Sequence, residues 1–313
     1  MLSTPPTKPS LAPKGASSLL AAPLKLPGLI TKPSASAPPA HKPKTFSIAP
    51  WSDTTEGEKI IIYGKTGDGK TTLASMAPNC VFIGLDDGGR KIPDPRTGQP
   101  VNAIPGIASF QDVRDALHQD SLFAPNASLV IDTMTKLEAV MEPHIFQHYP
   151  ASGGKKATKM RDYGWDGPAH QLDLIRLILS DLDAHVRAGR NVILLAQMGQ
   201  VTVANSAGRD YLEDGPKLQH NKQYSARTEV CEWADHVLKI GYQDFNVTRE
   251  NEKQKAGKVE NGDATRVIHS GGAPHFIAKS RPIGGNRIPP VIAFATPADD
   301  TLWKFIFEGA TVA

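Results

Sequence analysis

Residues 64–71 read Gly-Lys-Thr-Gly-Asp-Gly-Lys-Thr, which matches the pattern G-x-x-x-x-G-K-S/T in full. The pattern is informative when a strand precedes it and a helix follows. Both conditions fit, because the β-branched run Lys59–Tyr63 comes before it and Thr71–Met76 has the character of a helix start. Glycines let the backbone N–H groups converge on a phosphate, and the helix start adds partial positive charge. The residues expected to contact the phosphates are Gly64, Lys65, Thr66, Gly67, Asp68, Gly69, Lys70, Thr71 and Thr72.

Side chains around this loop have the chemistry of a nucleoside triphosphate site. We expect Lys70 to place its charge at the β- and γ-phosphates and the Thr71 hydroxyl to bind Mg²⁺. A carboxylate partner for the metal follows 61 residues after Thr71, where the apolar run Leu129–Ile131 ends at Asp132. ATP and Mg²⁺ are therefore the expected ligands, with Thr71 and Asp132 at the metal.

Polar side chains follow two more strands. Asp86 and Asp87 come after the strand Cys80–Leu85, and Gln197 ends the strand Asn191–Ala196. The carboxyl ends of parallel strands share one crevice, so these groups should meet near the γ-phosphate. One carboxylate would position water, and the amide would sense the γ-phosphate. The alternatives are aspartates that cap a turn and an ordinary polar residue at a strand end.

The order of elements predicts an α/β fold. Apolar strands alternate with helical stretches up to Ala196, which indicates a mostly parallel sheet with helices on both faces. The late strands suggest an antiparallel extension; they are Val237–Tyr242, Val267–His269, His275–Ala278 and Val291–Phe294. Residues 244–263 are expected to form a solvated hairpin tip.

The first 44 residues differ in composition from the rest. They contain ten Pro and six Lys and no Asp, Glu or Arg. The six Lys contribute +6 to the net charge of +3, so residues 45–313 carry a net charge of about −3. A nucleic-acid site would therefore have to be a local basic patch. We predict a disordered Pro-rich basic tail at residues 1–44 and one core domain at residues 45–313.

Cysteine, histidine and hydropathy patterns exclude several classes of protein. Cys80 and Cys231 lie far apart, which argues against a disulfide scaffold or a cysteine-based zinc site and fits the cytoplasm. His144 and His148 have helical spacing but no third ligand, so no metal site is expected there. No run approaches the roughly 18 apolar residues of a membrane span, so no membrane contact is expected.

Together these motifs resemble the RecA/RadA recombinase superfamily. More narrowly they resemble phage-encoded, core-only RecA-like proteins of the Sak group of single-strand annealing ATPases, a P-loop "AAA domain" family. The resemblance covers roughly residues 56–294. It is carried by Gly64–Thr71, Phe82–Gly89 (FIGLDDGG), Val130–Thr133 (VIDT), Leu194–Gln197 (LLAQ), Ala234-Asp235 and Lys279-Ser280-Arg281.

The resemblance implies a RecA-like ATPase core that assembles with copies of itself in a ring or filament. Asp87 stands where the family has a catalytic Glu, which is one methylene longer. Lys279 and Arg281 resemble the family's finger, which acts on the ATP of a neighbouring subunit; the alternative is a surface basic pair. With Lys70 and Gln197, these residues form the implied catalytic set.

The resemblance also implies single-stranded DNA binding through two loops, with a single-strand-binding protein as a further candidate partner. The first loop is Ala151–Tyr163, with Tyr163 and Trp165 available for base stacking. The second is Gly199–Arg227, which is expected to be long and structureless. Solvated mobile loops are the alternative for both. The basic residues of the first loop are Lys155, Lys156, Lys159 and Arg161.

The function expected from these features is an ATP-dependent single-strand DNA-binding protein of phage-type recombination or strand annealing. Three alternatives stay open. They are a P-loop motor or loader of the helicase type, a nucleotide-gated DNA-binding scaffold with little turnover, and a small-molecule kinase.

Overall fold

The computed structural model describes residues 47–48, 56–151, 153–154, 156–243, 247–248, 258–259, 265–282 and 287–309, without the side chains of Asp87, Arg90 and residues 247–248 and 258–259. The chain divides into two compact units, Met1–Trp51 and Ser52–Ala313. In the first unit the described residues are Ser47 and Ile48, both exposed. The predicted tail at residues 1–44 lies outside the described residues.

The second unit contains the strands and helices. The strands are β1 (Lys59–Gly64), β2 (Cys80–Gly84), β3 (Asn102–Ala103), β4 (Ser128–Asp132), β5 (Asn191–Val203), β6 (Tyr211–Pro216), β7 (His236–Tyr242), β8 (Val247–Thr248), β9 (Lys258–Val259), β10 (Arg266–His269), β11 (Lys279–Ser280) and β12 (Val291–Ala293). The α-helices are α1 (Lys70–Ser75), α2 (Phe110–His118), α3 (Met134–His148), α4 (Asp166–Arg187), α5 (Ala226–Trp233) and α6 (Thr301–Phe307). Among the described helices, none has the length and apolarity needed to cross a membrane.

One sheet organises this unit, with strand order β12-β10-β7-β1-β5-β4-β2-β3. The strands from β7 to β3 in that order run parallel. Strands β10, β11 and β12 add antiparallel pairs at one side. The predicted α/β fold class, with a mostly parallel sheet flanked by helices and late antiparallel strands, is confirmed.

Strand β1 is buried on both faces, which explains its continuous apolar sequence. Ile61 and Tyr63 pack with α2, α3, α4 and α5 in one cluster. Ile60 and Ile62 point to the other face and pack with α1 and α6. The helices therefore cover both faces of the sheet, and β1 delivers the glycine-rich loop from the centre of the core.

The prediction of a structureless loop at Gly199–Arg227 is wrong. Strand β5 continues past Gln197 to Val203 and pairs antiparallel with β6, so this region begins as a β-hairpin. The β-branched residues at 201–203 favour the strand. Residues 204–210, which include the turn-forming residues Asn205, Ser206 and Gly208, connect the two strands. Arg227 lies at the start of α5.

Two other late predictions have different outcomes. The prediction of a strand at His275–Ala278 is wrong, because His275 and Phe276 lie in a turn closed by a bridge between Ala273 and Phe276, and the strand β11 begins only at Lys279. In the expected hairpin at residues 244–263, the described parts are β8 and β9, which pair antiparallel.

Candidate active site

The glycine-rich loop joins β1 to α1 in a conformation that requires glycine. Gly67 and Gly69 have φ angles of 91° and 102°, in the left-handed region that strains other residues. A Cβ on Gly64 would lie 2.5 Å from the carbonyl oxygen of Ile240, so the loop begins pressed against β7. The buried Asp68 carboxylate accepts a hydrogen bond from the backbone N–H of Lys65 at 2.7 Å. This bond closes the loop on itself.

Lys70 lies at the first position of α1, with its amine buried in the loop. The amine donates to the carbonyl oxygens of Gly64 and Lys65, at 3.0 and 2.8 Å, and to Oε1 of Gln197 at 3.3 Å. Burial lowers the pKa of the Lys70 amine, while Asp68 and Asp132 oppose that shift. A cation held with little water interacts strongly with a phosphate group.

Thr71 and Asp132 meet next to this amine. The Thr71 hydroxyl donates to Oδ2 of Asp132 at 2.8 Å. Burial raises the pKa of Asp132, as does the nearby Asp86, whereas the Thr71 hydrogen bond and the Lys70 charge lower it. A hydroxyl and a carboxylate at one point are hard oxygen donors of the kind that Mg²⁺ prefers. The donor set therefore fits the expected metal.

Gln197 connects the loop to the hairpin. Its Oε1 accepts hydrogen bonds from the Thr66 hydroxyl at 3.2 Å and from the Lys70 amine. Its backbone N–H donates to Oγ1 of Thr135 at 3.1 Å, and its carbonyl accepts from the N–H of Lys217 at 2.6 Å. Gln197 is thus the point where β5 leaves β1 and the hairpin begins.

These groups line a common cavity of about 290 Å³. The loop and α1 contribute Thr66, Gly67, Gly69, Lys70, Thr71 and Thr72, and the strand ends contribute Asp86, Asp132 and Gln197. Gly64, Lys65 and Asp68 shape the loop without lining the cavity. A second, mostly apolar cavity of about 630 Å³ adjoins it and shares Asp86, Gly89 and Asp132.

The acidic turn after β2 reaches the same cavity. The Asp86 carboxylate accepts a hydrogen bond from the backbone N–H of Gly88 at 3.2 Å and so caps the short 3₁₀ turn Asp87–Lys91. This is the turn-capping arrangement that the sequence left open for these aspartates. Asp87 begins the turn, and its side chain lies outside the described residues. Its catalytic role stays a prediction.

Lys279 and Arg281 are not brought to this cavity. Lys279 pairs with Val237 in the first half of β7, and the following strand residue pairs with His236. The amino end of β7 lies at the amino end of β1, whereas the phosphate loop lies at the carboxyl end. The two cations therefore occupy the edge of the sheet opposite the chain's own phosphate loop.

Local contacts at that edge hold both cations in place. The Lys279 amine donates to the carbonyl oxygen of Glu232 at 3.3 Å, and burial together with the Arg281 charge lowers its pKa. The Arg281 guanidinium forms an ion pair with Asp235 at 2.8 Å, and its side chain is 63% exposed.

The expected DNA residues lie on a separate surface after α3. Lys156, Lys159 and Arg161 are exposed, and Lys155 lies outside the described residues. The Asp162 carboxylate orders the loop by accepting hydrogen bonds from the N–H groups of Thr158 and Lys159, at 2.9 and 3.0 Å. We call Lys156, Lys159 and Arg161 together with Trp165 the basic surface.

Two residues of the expected DNA-binding loops are buried instead. The Tyr163 hydroxyl donates to the carbonyl oxygens of Ile145 and Tyr149, at 3.0 and 2.8 Å, so this ring is a core residue and the stacking prediction for it is wrong. Arg227 is buried in an ion pair with Glu213 at 2.8 Å. Trp165 is 80% exposed and stays available.

Sequence reasoning missed one residue at the phosphate loop. The Arg266 guanidinium donates to the carbonyl oxygen of Asp68 at 3.3 Å and stacks on the ring of Phe294, 5.1 Å from its centroid. Arg266 is 198 positions from Asp68, and no local motif surrounds it. Only the antiparallel pairing of β10 with β7 brings it there.

The chain is similar to a protein-family model and to solved structures of other proteins. A protein-family model described as "AAA domain" matches residues 56–282. No curated protein matches the chain in sequence. A KaiC-like protein of the archaeon Pyrococcus horikoshii is 12% identical with a TM-score of 0.34, covering 68% of this chain and 78% of that one. The ATPase EscN of the enteropathogenic E. coli type III secretion system, solved with its central stalk EscO, is 14% identical with a TM-score of 0.39, covering 73% of this chain and 48% of that one.

Proposed function

Because the chain belongs to this AAA-domain family of P-loop ATPases, we propose that residues 64–72 bind ATP with Mg²⁺ and that the chain hydrolyses it. One observation carries the proposal. The Lys70 amine, the Thr71–Asp132 pair and the Gln197 amide converge on one cavity beside the glycine-rich loop. These are the cation, the metal ligands and the amide that a triphosphate with its metal requires.

Each group has a separate task at the triphosphate. The backbone N–H groups of the loop bind the phosphate oxygens, and Lys70 exchanges its carbonyl partners for them. Thr71 and Asp132 would hold Mg²⁺, which neutralises charge on the phosphates when bound. Gln197 responds to the γ-phosphate because its Oε1 already bonds the loop at Thr66 and Lys70. Its backbone bonds to Thr135 and Lys217 pass any movement to the base of the hairpin.

Calorimetry of Mg-ATP binding tests the site directly. A charge-assisted contact is worth roughly 1.5–3 kcal/mol, so Lys70→Ala should raise Kd by about one to two orders of magnitude. The exposed Lys222 provides the control, since Lys222→Ala removes the same charge outside the cavity. Equal affinity of wild type and Lys70→Ala would show that this loop is not the phosphate site.

We further propose that the basic surface binds single-stranded DNA, as the resemblance to RecA-like annealing proteins implies. Three observations support this. Lys156, Lys159 and Arg161 are exposed together, Trp165 presents its ring to solvent, and Asp162 holds the loop that carries them. Exposed cations beside an exposed aromatic ring suit backbone tracking with base stacking. Phage-type recombination or strand annealing is the corresponding biological role.

Self-assembly in a ring or filament is the third part of the proposal. Lys279 and Arg281 lie at the sheet edge opposite their own phosphate loop, and Arg281 is largely exposed. Acting as a finger, they would therefore reach the ATP of a neighbouring subunit, where a cation stabilises the transition state.

A nucleotide-gated scaffold with little turnover is the second candidate function. The observation in its favour is that the Asp86 carboxylate caps its own turn and is engaged with Gly88. A protein of this kind would bind Mg-ATP and DNA but release little phosphate, so a phosphate-release assay separates the two candidates.

A further inference from the structure

The last part of the described chain packs against the phosphate loop. Arg266 begins β10 opposite Tyr242, the last residue of β7, so it lies at the carboxyl edge of the sheet. The backbone N–H of Phe294 donates to the carbonyl oxygen of Arg266 at 2.8 Å. Both side chains therefore lie on the side of β1 away from Asp132 and Gln197.

Arg266 and Phe294 form a pair under the turn that opens α1. The guanidinium donates to the carbonyl oxygen of Asp68 and stacks on the Phe294 ring. A Cβ on Gly69 would lie 3.0 Å both from Nη1 of Arg266 and from Cε1 of Phe294. The pair thus packs against the backbone of the loop at the residue that precedes Lys70.

Helix α6 supports the helix that the loop starts. The indole N–H of Trp303 donates to the carbonyl oxygen of Leu73 at 2.8 Å, and both residues are buried in the same apolar cluster. Helix α1 is only six residues long, and the Leu73 carbonyl also accepts a hydrogen bond at 3.2 Å from the backbone N–H of Met76, the residue that ends the helix. Trp303 adds a second, shorter hydrogen bond to this carbonyl from outside the helix.

We propose that this C-terminal brace, formed by Arg266, Phe294 and Trp303, positions the phosphate loop for nucleotide binding. Phe294 and Trp303 lie beyond the segment that the family model matches, which ends at residue 282. The inference rests on the proposed nucleotide site and adds a part that the glycine-rich motif does not contain. Arg266 is a positioning residue, because its described hydrogen bond goes to the loop backbone.

The physical reason lies in preorganisation. A loop that binds phosphate through its own N–H groups must hold them in one arrangement, and a loop with glycines at three of its first six positions has many others. Fixing the Asp68 carbonyl and the start of α1 removes part of that freedom before the ligand arrives. ATP and ADP share the phosphates next to this turn, so losing the brace should weaken both equally.

Calorimetry with Mg-ATP and with Mg-ADP tests the brace in the full chain. Arg266→Gln should weaken binding of both nucleotides about tenfold, the size expected from losing one hydrogen bond and one cation–π contact. Phe294→Leu, which keeps the guanidinium, should weaken both by a smaller and equal factor. Arg266→Lys, which keeps a cationic donor, should recover part of the loss. The turnover number at saturating ATP should stay within about twofold of wild type, because positioning acts on binding.

Arg187→Gln is the matched control, since Arg187 is an exposed arginine at the end of α4. If wild type binds both nucleotides and Arg266→Gln binds them with the same affinities, the proposed brace is refuted while the proposed nucleotide site stands. Weakened ATP binding with unchanged ADP binding also overturns the brace, because the guanidinium would then act at the γ-phosphate. If Arg266→Gln melts at a lower temperature than wild type without nucleotide but binds both nucleotides with unchanged affinities, the three residues only stabilise the fold. That outcome would refute the brace as well. No nucleotide binding by wild type would overturn the proposed function first.

Discussion

Removing three charges from the basic surface is the sharpest test of DNA binding. Lys156, Lys159 and Arg161 are exposed side chains within six residues of one another, at the far end of α3 from Asp132. A helix of that length spans about 22 Å. Converting all three to Gln should therefore leave the nucleotide cavity unchanged.

The expected magnitude follows from counterion release. Each phosphate contact contributes about 0.7 to the slope of log K against log salt for single strands, so losing three should flatten the slope by about 2. Between about 50 and 200 mM salt, wild type should then lose roughly fifteenfold more affinity than the variant. Fluorescence anisotropy with a labelled oligothymidylate measures both slopes.

Two comparisons make the result decisive. Arg187, Arg287 and Lys304 are exposed elsewhere, so their triple change to Gln alters net charge equally away from the basic surface. Trp165→Ala should lower affinity by about 1–3 kcal/mol per stacked base while leaving the slope unchanged. An unchanged slope in the basic-surface variant, or equal flattening in the control, would refute the proposed DNA site.

Three further predictions concern protonation, the metal ligand and assembly. Burial raises the pKa of Glu138 from 4.5 to about 7. Between pH 4.5 and about 7 the folded state therefore keeps the Glu138 proton that the unfolded state has already released. As pH rises through that range, the free energy of unfolding of wild type should fall by up to about 3 kcal/mol. Glu138→Gln keeps an acceptor for the N–H of Gln219 and should abolish this loss. Urea unfolding at about pH 5 and pH 8 would contradict the reasoning if both proteins lose stability alike. Burial also raises the pKa of Asp132, so its ionised form opposes folding at neutral pH. Asp132→Asn should melt at a higher temperature than wild type without nucleotide and lose Mg-dependent ATP binding; thermal shift measurements check both, and a lower melting temperature would count against this account. Finally, the Lys70→Ala and Arg281→Ala variants should each fail to release phosphate from ATP when assayed alone. A mixture of the two should regain phosphate release, because some interfaces then join the intact phosphate loop of an Arg281→Ala subunit to the intact Arg281 of a Lys70→Ala subunit. A mixture as inactive as its components, under conditions where wild type assembles, would remove the proposed action between subunits.

The site could be predicted where local sequence dictates backbone geometry. The glycine-rich loop needs its strand and its helix, and both are encoded in the neighbouring residues of Lys59–Met76. Asp132 and Gln197 were expected at one edge because parallel strands end there, and both line the cavity. These inferences need only the strand pattern and the direction of the strands.

The remaining features depend on contacts between distant parts of the chain. Arg266 reaches the loop through strand pairing, so nothing near it in sequence marks it. Tyr163 and Trp165 are two residues apart with similar chemistry, but only tertiary packing buries one ring and exposes the other. The sequence predicts an irregular loop where β5 and β6 form a hairpin, because the exposed strands carry many polar residues and lack a continuous apolar run.

The rate of phosphate release from Mg-ATP, with and without single-stranded DNA, shows whether this chain is an ATPase that responds to DNA. Wild type should turn over ATP measurably and faster when DNA is added, and Lys70→Ala should lose both the basal and the stimulated rate. ATP binding without turnover, unchanged by DNA, would contradict the proposed ATPase function and favour the nucleotide-gated scaffold.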